Sequence, residues 1–417
     1  MPAIDSALDT ASANSSETEN ETLCSEELMA RTETLAIELA AESAAWDERG
    51  TANRPAFDAI RAARIGAIRV PRQYGGAGGT IVDLSTVVVA LARGDSSVAQ
   101  ALLPHFVFVE RTLLMAPPSQ AARLLGRVAR GELIGGASAE RGGRFRGEVR
   151  TALSRDAEGY RLNGVKHYST GALIGDLLKV TALDPDGNSV LVVLPPERAG
   201  IVRHDDWDGM GQRGTLSGTT ELIDVRVEAD EVMRTDRWKT ERHHTGAASQ
   251  IIHCSIEIGI AQAALHDAAA WIREGVRPVR ESGVDRAADD PYILHTIGSI
   301  AAQVSAARAL VARAAAKIDV AAQMRFGGAS PDVIAQAAVD ASIATAEAKV
   351  MSTEAALDAA QALFDVGGAS TTLRRHNFDR HWRNARTHTV HDPAAWKYRA
   401  IGDYNLNGQA PPIDYGY

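Results

Sequence analysis

Residues 177–194 read Leu177-Leu-Lys-Val-Thr-Ala-Leu-Asp-Pro-Asp-Gly-Asn-Ser-Val-Leu-Val-Val-Leu194, and this pattern is the strongest indication of the fold class. Two apolar runs rich in Leu and Val flank the turn sequence Asp184-Pro-Asp-Gly-Asn188. Such a pattern predicts two antiparallel β-strands joined by a turn. Similar short runs occur at 160–164 and 221–227 with no helical crossover between them. We therefore expect a central β-domain of antiparallel strands.

Both flanks of this β-domain have helical patterns. The run 81–93 carries apolar residues at helical spacing, namely Leu84, Val87, Val88 and Leu91. Further along, Ser330-Pro331 has the form of an N-cap followed by proline at the first helical position, which predicts a helix over 331–364 that ends at Gly367-Gly368. Aromatic residues are only 5% of the chain, so Ala, Leu, Val and Ile must form most of the core, which suits packed helices.

The predicted fold class is therefore α+β, with four parts along the chain. Residues 1–25 are rich in Ser, Thr, Glu and Asn and are predicted to form a disordered arm. An N-terminal helical domain is expected over 26–130, a β-domain of barrel or sandwich form over 131–240, and a C-terminal helical domain with a site-forming tail over 241–417.

Composition excludes several classes of function. The chain has 417 residues and a formal net charge of -9, which argues against binding to nucleic acid or to an anionic membrane. Its two cysteines, Cys24 and Cys254, provide neither a disulfide framework nor a cysteine metal site. The first residues lack the basic and apolar regions of a signal peptide, and no apolar stretch approaches the roughly 20 residues that span a bilayer. We expect a cytoplasmic protein.

One motif matches a nucleotide-binding pattern in the wrong context. Gly209-Met-Gly-Gln-Arg-Gly214 fits G-x-G-x-x-G, but polar residues precede it and Thr215 begins a run that favours a strand rather than a helix. The segment is therefore predicted to be a turn in the β-domain. The chain then has no recognisable site for a nicotinamide nucleotide.

Four of the 12 histidines lie in one short stretch near the C-terminus, at His376, His381, His388 and His391. His388 and His391, with Asp392, have three interpretations: a metal site, structural histidines, or acid–base chemistry. Acid–base chemistry is favoured, because a metal site needs further ligands that the sequence does not identify. We predict no metal. His105 lies in the apolar run 102–106, where a lone histidine is by default a core residue.

Several segments in order carry a resemblance to the acyl-CoA dehydrogenase superfamily: Pro71-Arg-Gln-Tyr-Gly-Gly-Ala-Gly78, Asn163-Gly-Val-Lys-His-Tyr-Ser-Thr170, Gly209-Met-Gly-Gln-Arg213, Asp224-Val-Arg-Val227, Gly367-Gly368 and Arg383-Asn-Ala-Arg386. The resemblance covers nearly the whole chain after residue 26. It implies an N-terminal helical domain, a central β-domain and a C-terminal four-helix bundle, usually in a homotetramer, with a flavin between the β-domain and the helices.

Other segments resemble the flavin-dependent monooxygenase branch typified by dibenzothiophene monooxygenase: Gly136-Ala-Ser-Ala-Glu140, Lys166-His-Tyr-Ser-Thr-Gly171, Asp290-Pro-Tyr292, Leu406-Asn-Gly-Gln409 and above all the stretch 378–393. This likeness implies oxygenation of a small apolar organosulfur, aromatic or heterocyclic compound by O2, through a hydroperoxide of reduced FMN rather than FAD. The missing nicotinamide site agrees with a two-component system, in which a separate NAD(P)H:flavin reductase supplies reduced FMN.

The resemblance also implies roles for single residues. His391 is expected to stabilise the peroxide and Asp392 to orient a ring, while His388 and His105 line the pocket. The apolar residues around His105 are expected to form that pocket, namely Leu102, Leu103, Phe106 and Phe108. The flavin contacts are expected at Thr170 and Tyr168 on the ring and at Ala137 and Ser138 on its opposite edge.

The phosphate end of the flavin is expected near the Gly367-Gly368 turn. Two positions where the branch tends to carry arginine differ here, because one is His295 and the other lies in Ala369-Ser-Thr-Thr372. Arg374 or Arg375 is expected to compensate.

Two alternatives stay open at this point. The first is an FAD-dependent acyl-CoA dehydrogenase that uses Asp392 as its base, although this side chain is one methylene shorter than the glutamate usual in the superfamily. The second is a tetramer that has kept the fold without a competent site.

Overall fold

A computed structural model of the chain describes residues 23–157, 159–413 and 416–417, without the side chains of Asp236 and Arg237. Most of the predicted disordered arm, residues 1–22, lies outside the described residues. Of its last three residues, Leu23 is buried and Ser25 begins the first helix.

Six helices form the N-terminal part: α1 Ser25–Arg49, α2 Arg54–Ala62, α3 Ile81–Gly94, α4 Ser96–Ala101, α5 Leu103–Met115 and α6 Pro118–Ala129. The predicted helix at 81–93 is confirmed, and it begins at a capping box in which Thr80 and Asp83 bond reciprocally to each other's backbone N–H.

The stretch Ser96–Met115 is long and apolar enough to span a membrane, contrary to our expectation. It is 83% buried within the protein, which is typical of a core segment.

Eight strands follow: β1 Ile134–Ala137, β2 Ala152–Asp156, β3 Gly159–Lys166, β4 Leu177–Leu183, β5 Ser189–Leu194, β6 Ile201–Arg203, β7 Thr220–Val227 and β8 Val232–Arg234. The predicted hairpin is β4–β5, which pairs Leu183 with Ser189 across the turn. The prediction of a purely antiparallel sheet is wrong, because β1 runs parallel to β4. Parallel pairing needs a crossover, and here the antiparallel pair β2–β3 provides it instead of a helix.

The β-domain packs through alternate faces of its strands. One face of β4 and β5 carries Leu177, Leu191 and Val193, which join a core cluster with helices α5 and α6. The opposite face carries Leu178, Val180 and Val192, which pack against β3 and β7. The sheet therefore lies on the N-terminal helices and holds β1 and the loop after β3 close to them.

Five helices form the C-terminal part of the described chain: α7 Thr245–Glu274, α8 Pro291–Phe326, α9 Pro331–Gly367, α10 Asp379–Thr389 and α11 Ala394–Asn407. Helix α9 begins with the predicted proline and ends at the predicted glycine pair. Three of the five are long, and the two short helices, α10 and α11, pack against them. Gly259 allows α3 to lie close to α7, because a Cβ there would overlap Ala92.

Candidate active site

Three histidines from two segments meet between α7 and the end of α10. His253 Nδ1 lies 3.2 Å from His388 Nε2, and the two residues are buried. The His253 ring stacks on that of His391, with ring centroids 4.5 Å apart and planes at 23°. His391 as a residue is exposed. The sequence analysis missed His253, although its placement four residues before Glu257 puts two buried titratable groups on one helix face.

A buried ion pair lies behind this histidine cluster. Lys349 on α9 pairs with Glu257 on α7, and both side chains are almost completely buried. The hydroxyl groups of Ser352 and Thr353 donate to the same carboxylate, at 2.6 and 3.1 Å. His388 Nε2 is 3.9 Å from Glu257 Oε1. The pair therefore connects the histidines to the helical core, and sequence reasoning missed it as well.

The histidine cluster is neutral at neutral pH. Burial lowers the pKa of both His253 and His388 well below the ordinary value, and neighbouring positive charges add to the effect. The pKa of His391 is lowered to about 4 by the protein around its ring and by the charges of Lys349 and Arg146, against the opposing effect of Asp392. The described residues contain no group of three or more His, Cys, Asp or Glu side chains arranged to hold a metal ion.

We expect acid to destabilise the protein well before its carboxylates titrate. Buried His105, His253 and His388 have lowered pKa values when folded, so the unfolded chain, with histidine pKa values near 6.5, binds more protons below that pH. Each such group reduces the free energy of unfolding by up to about 1.4 kcal/mol per pH unit on acidification. Urea unfolding midpoints measured from pH 7 to 5 should fall steeply, and a flat profile would contradict the assignment. A His105→Gln variant should give a shallower slope.

The contacts of Asp392 differ from the prediction. Its Oδ2 lies 2.8 Å from Nζ of Lys397, a buried residue of α11 whose ammonium also donates to the Gly416 carbonyl. The carboxylate is therefore ion-paired with a lysine instead of orienting an imidazole by a hydrogen bond. Its negative charge still acts on His391 by raising the pKa of that ring.

His105 lies in the protein core. It is fully buried, its Nδ1 accepts from Ile134 N at 3.2 Å, and its Nε2 therefore donates to the Gly66 carbonyl at 3.0 Å. The apolar neighbours predicted to form a pocket are core as well, since Phe106 and Phe108 are buried in two different clusters. Helix α5 is apolar on nearly all sides and most of its residues are buried. A helix of this composition is normally surrounded by other parts of the protein. A cavity of about 580 Å³ lies elsewhere, between α1, α4, α7 and α10.

The residues predicted to contact the flavin ring gather at the edge of the β-domain. Gly136 N donates to the Thr170 carbonyl at 3.0 Å, which brings the end of β1 to the loop after β3. Thr170 Oγ1 lies 2.8 Å from Ser217 Oγ. Ser169 Oγ is buried without a hydrogen-bond partner among the described residues. Either hydroxyl of the Thr170–Ser217 pair can be the donor, and the Ser169 hydroxyl beside them has no partner within the residues that the structure describes. Such hydroxyl groups fit the edge of a heteroaromatic ring that offers both donors and acceptors.

The other residues predicted to contact the flavin ring differ in their exposure. Tyr168 is half exposed, adopts a φ of 56° and packs edge-to-face with Trp207 at 6.1 Å. Ser138 Oγ accepts from Thr181 at 3.0 Å, and its carbonyl accepts from Lys166. Ala137 is buried in the sheet core, so only its backbone is left for a ligand.

A hydrogen-bonded path connects this ring edge to the histidine cluster. From Thr170 and Ser217 it continues to the Thr215 hydroxyl at 2.8 Å, which donates to the Gln212 carbonyl at 2.9 Å. The backbone N–H of Gln212 then donates to Asn384 Oδ1 at 2.6 Å. Asn384 lies one helical turn before His388 on α10, so the path brings the two halves of the site into one unit.

The Gly209–Gly214 motif is the turn that makes this connection. A single 3-10 turn, Arg213–Thr215, and then a strand follow it in place of the α-helix of a dinucleotide fingerprint, and that strand begins at Thr220 instead of Thr215. Gly211 is required for the close approach, because a Cβ there would overlap the Arg383 carbonyl on α10.

We expect Gly211→Ala to push the β-domain turn away from α10. The substitution should destabilise the protein by about 1–3 kcal/mol, as overpacking usually does, and should reduce activity by breaking the Gln212–Asn384 hydrogen bond. Gly298→Ala on α8 is the matched control, because a Cβ there meets no atom within 4 Å. It should be neutral or stabilising. Equal thermal unfolding and turnover of the two variants would contradict this role for Gly211.

The remaining predicted cofactor residues lie apart from this site. Gly367 accepts at its carbonyl from Trp271 Nε1 at 3.1 Å, at the far end of α9. Gly368, Arg374 and His295 are exposed. Within the described part of the chain, these four residues form no hydrogen bond or ion pair with Thr170 or with the histidine cluster.

Comparison with known proteins agrees with this geometry. Family models for the acyl-CoA dehydrogenase N-terminal and C-terminal domains match residues 26–132 and 251–395. Dibenzothiophene monooxygenase of Mycolicibacterium goodii is 34% identical over 88% of this chain and 90% of that protein. A probable FMNH2-dependent monooxygenase, SfnC of Pseudomonas putida, is 29% identical over 90% and 94% of the two chains. FMN-bound TdsC of Paenibacillus sp. A11-2 superposes with a TM-score of 0.86 at 27% identity, over 94% of this chain and 100% of that one.

The chain therefore belongs to the acyl-CoA dehydrogenase family, in its dibenzothiophene monooxygenase branch. This confirms the fold class and the branch that the sequence motifs indicated.

Proposed function

We propose that this protein is an FMNH2-dependent monooxygenase that transfers one oxygen atom from O2 to a small apolar organosulfur or heterocyclic compound. The observation that carries the proposal is the stacked pair His391–His253, which presents neutral imidazole where a dehydrogenase would need a free carboxylate. The names of the relatives support the same chemistry, since they include dibenzothiophene and FMNH2-dependent monooxygenases.

The ring edge of the site fits a flavin, by the hydroxyl pair Thr170–Ser217 and the orphaned Ser169 Oγ. Bound reduced FMN supplies the two electrons that reduce one atom of O2 to water while the other is transferred. We assign Tyr168 to packing on the ring and Ala137 and Ser138 to its opposite edge. Gly367, Gly368, Arg374 and His295 are proposed phosphate contacts, and the exposure of the last three suits a flavin shared with a second copy of the chain.

His391 is proposed to act on the reacting oxygen. A neutral imidazole offers an N–H donor on one ring nitrogen and an acceptor on the other, so it can hold and pass a proton without bringing a fixed charge into an apolar site. His388 is proposed to support this ring from α10. Asp392 is proposed to limit the lowering of the His391 pKa through its charge, while Lys397 holds the carboxylate in place.

The alternative, an FAD-dependent dehydrogenase with Asp392 as base, has less support. A general base must reach its proton within about 3 Å, and Asp392 is engaged by Lys397.

The test is an aerobic assay with purified protein, FMN, NADH, a flavin reductase, catalase and dibenzothiophene as the probe substrate. The expected result is an oxygenated sulfur product that depends on both the protein and the reductase. Thioethers, sulfinates and indole in parallel reactions report the substrate class. Tightly bound FAD that is bleached anaerobically by an acyl-CoA, with no oxygenated product from any probe, would overturn the proposal.

We further propose that the protein is a cytoplasmic homotetramer that receives reduced FMN from a separate reductase, with the domain boundaries predicted from the sequence. Large apolar side chains are exposed on α8, α9 and α11, which suits contacts between subunits: Tyr292, Leu294, Val320, Phe326, Val333, Trp396 and Leu406. Light scattering on the purified protein should give the mass of four 44.3 kDa chains.

A further inference from the structure

His253 is the histidine at the centre of the cluster, although sequence motifs point only to its neighbours. It contacts His388 through a ring nitrogen and His391 through its ring face. We propose that His253 is the positioning residue of the oxygenation site: it holds the His391 ring by stacking, and His388 fixes the orientation of the His253 ring. This inference rests on the monooxygenase function proposed above and concerns how this chain performs it.

The hydrogen bond between the two buried rings has a preferred direction. His388 Nε2 faces Glu257 Oε1 at 3.9 Å, and a carboxylate favours an N–H over a lone pair on a nitrogen beside it. His388 Nε2 therefore carries the hydrogen and donates to His253 Nδ1. His253 must then carry its own hydrogen on Nε2, so both its tautomer and its ring orientation are fixed by Glu257 through His388.

The Glu257 carboxylate that sets this direction is itself immobilised. It receives Lys349, Ser352 and Thr353 from α9, and each of these contacts holds it in the core between α7 and α9. Helix α9 therefore holds Glu257, and Glu257 orients His388. His388 in turn orients His253, and His253 holds His391. Each step joins groups from different helices or segments.

His391 needs such support because of its position in the chain. It follows the end of α10 at Thr389 and is exposed, so the helix backbone does not fix its side chain. The parallel ring of His253 at 4.5 Å is the ring contact that the structure gives it. A misplacement of about 1 Å at a reacting group is enough to cost roughly 100-fold in rate.

The charged and titratable groups around His253 and its two histidine partners come from every element packed against them. They are Glu257 on α7, Lys349 on α9, His388 on α10, His391 and Asp392 after α10, Lys397 on α11 and Arg146 from the loop after β1. Burial is the largest cause that holds the pKa of His253 well below its ordinary value, and the neighbouring positive charges add to it, so a change in His253 alters the geometry around His391 without removing a charge.

The experiment separates stacking from hydrogen bonding by three substitutions at one position. His253→Ala removes both and should lower the oxygenated product per FMNH2 consumed by about 10- to 100-fold, with H2O2 as the balance. His253→Phe keeps an aromatic face and should recover a large part of that coupling. His253→Asn keeps a polar group near His388 but no ring, and it should behave like His253→Ala.

A second readout needs neither flavin nor turnover. Acylation of His391 by diethyl pyrocarbonate, followed by peptide mass spectrometry over a pH series, reports the pH at which that ring becomes reactive. The wild-type midpoint should lie below the ordinary histidine value near 6.5. In His253→Ala, water next to the His391 ring should move the midpoint up towards 6.5, whereas His253→Phe should leave it near the wild-type value.

Ile252→Val is the control for general damage to α7, because Ile252 is the buried neighbour of His253 and its apolar side chain packs in the hydrophobic core. It should leave both coupling and the His391 midpoint unchanged. The inference is overturned if His253→Ala couples as well as the wild type, or if His253→Phe is no better than His253→Asn. Wild-type protein that forms no oxygenated product while its His391 midpoint responds as expected would instead contradict the proposed function alone.

Discussion

Replacement of His391 by phenylalanine is expected to reduce oxygenated product by at least about 100-fold, while reduced FMN continues to be oxidised by O2 to H2O2. General acid–base groups typically contribute 100- to 10,000-fold, and phenylalanine keeps the stack on His253 but has no ring nitrogen. Product measured by chromatography and H2O2 measured by a peroxidase assay, in one reaction mixture, give the ratio directly.

The matched control for this substitution is His376→Phe. His376 lies in the same histidine-rich stretch but stacks on Phe378, with ring centroids 5.5 Å apart, and contacts Trp271. An aromatic ring without nitrogens should preserve that packing and leave coupling near the wild-type value. Full product formation by His391→Phe would refute the acid–base role of His391 even if the monooxygenase function is correct.

Lys349→Met is expected to have the largest effect on stability, a loss of about 3–5 kcal/mol in the free energy of unfolding. The substitution leaves the Glu257 carboxylate buried with only hydroxyl partners from Ser352 and Thr353. An uncompensated charge in the core is costly, whereas the removal of both charges is often nearly neutral. The double variant Lys349→Met with Glu257→Gln should therefore recover much of the loss.

Lys317→Met on α8 provides the comparison, because Lys317 is exposed and its substitution should change stability by no more than about 0.5 kcal/mol. Urea denaturation followed by circular dichroism measures all three proteins. If the double variant were less stable than Lys349→Met, the pair would not act as a mutually dependent unit.

The sequence predicted what local patterns determine. Strands β4 and β5 and helices α3 and α9 begin and end close to the predicted residues, because turn residues, caps and apolar periodicity lie within each segment. The parallel pairing of β1 with β4 could not be predicted in this way, since it joins residues about 43 positions apart. Sheet pairing of that kind is decided by tertiary packing.

The candidate site shows the same division. The motif around His391 identified the branch, but the partners of that residue come from elsewhere in the chain. His253 and His388 are 135 residues apart, and Glu257 and Lys349 are 92 apart. His105 illustrates the opposite case, because its two backbone partners, Gly66 and Ile134, make it a core residue that its apolar surroundings had already suggested.

The hydrogen-bonded path from Thr170 to Asn384 affects the stage of folding at which the site forms. Its members belong to the β-domain and to α10, which are separated by the three long helices in the chain. An N-terminal fragment that stops before α10 lacks Asn384, the acceptor for the backbone N–H of Gln212. A C-terminal fragment lacks Thr170 and Ser217. The proposed flavin contacts and the histidines therefore reach their relative positions only when the last helices have docked, so an incomplete chain lacks part of the proposed site for reduced flavin.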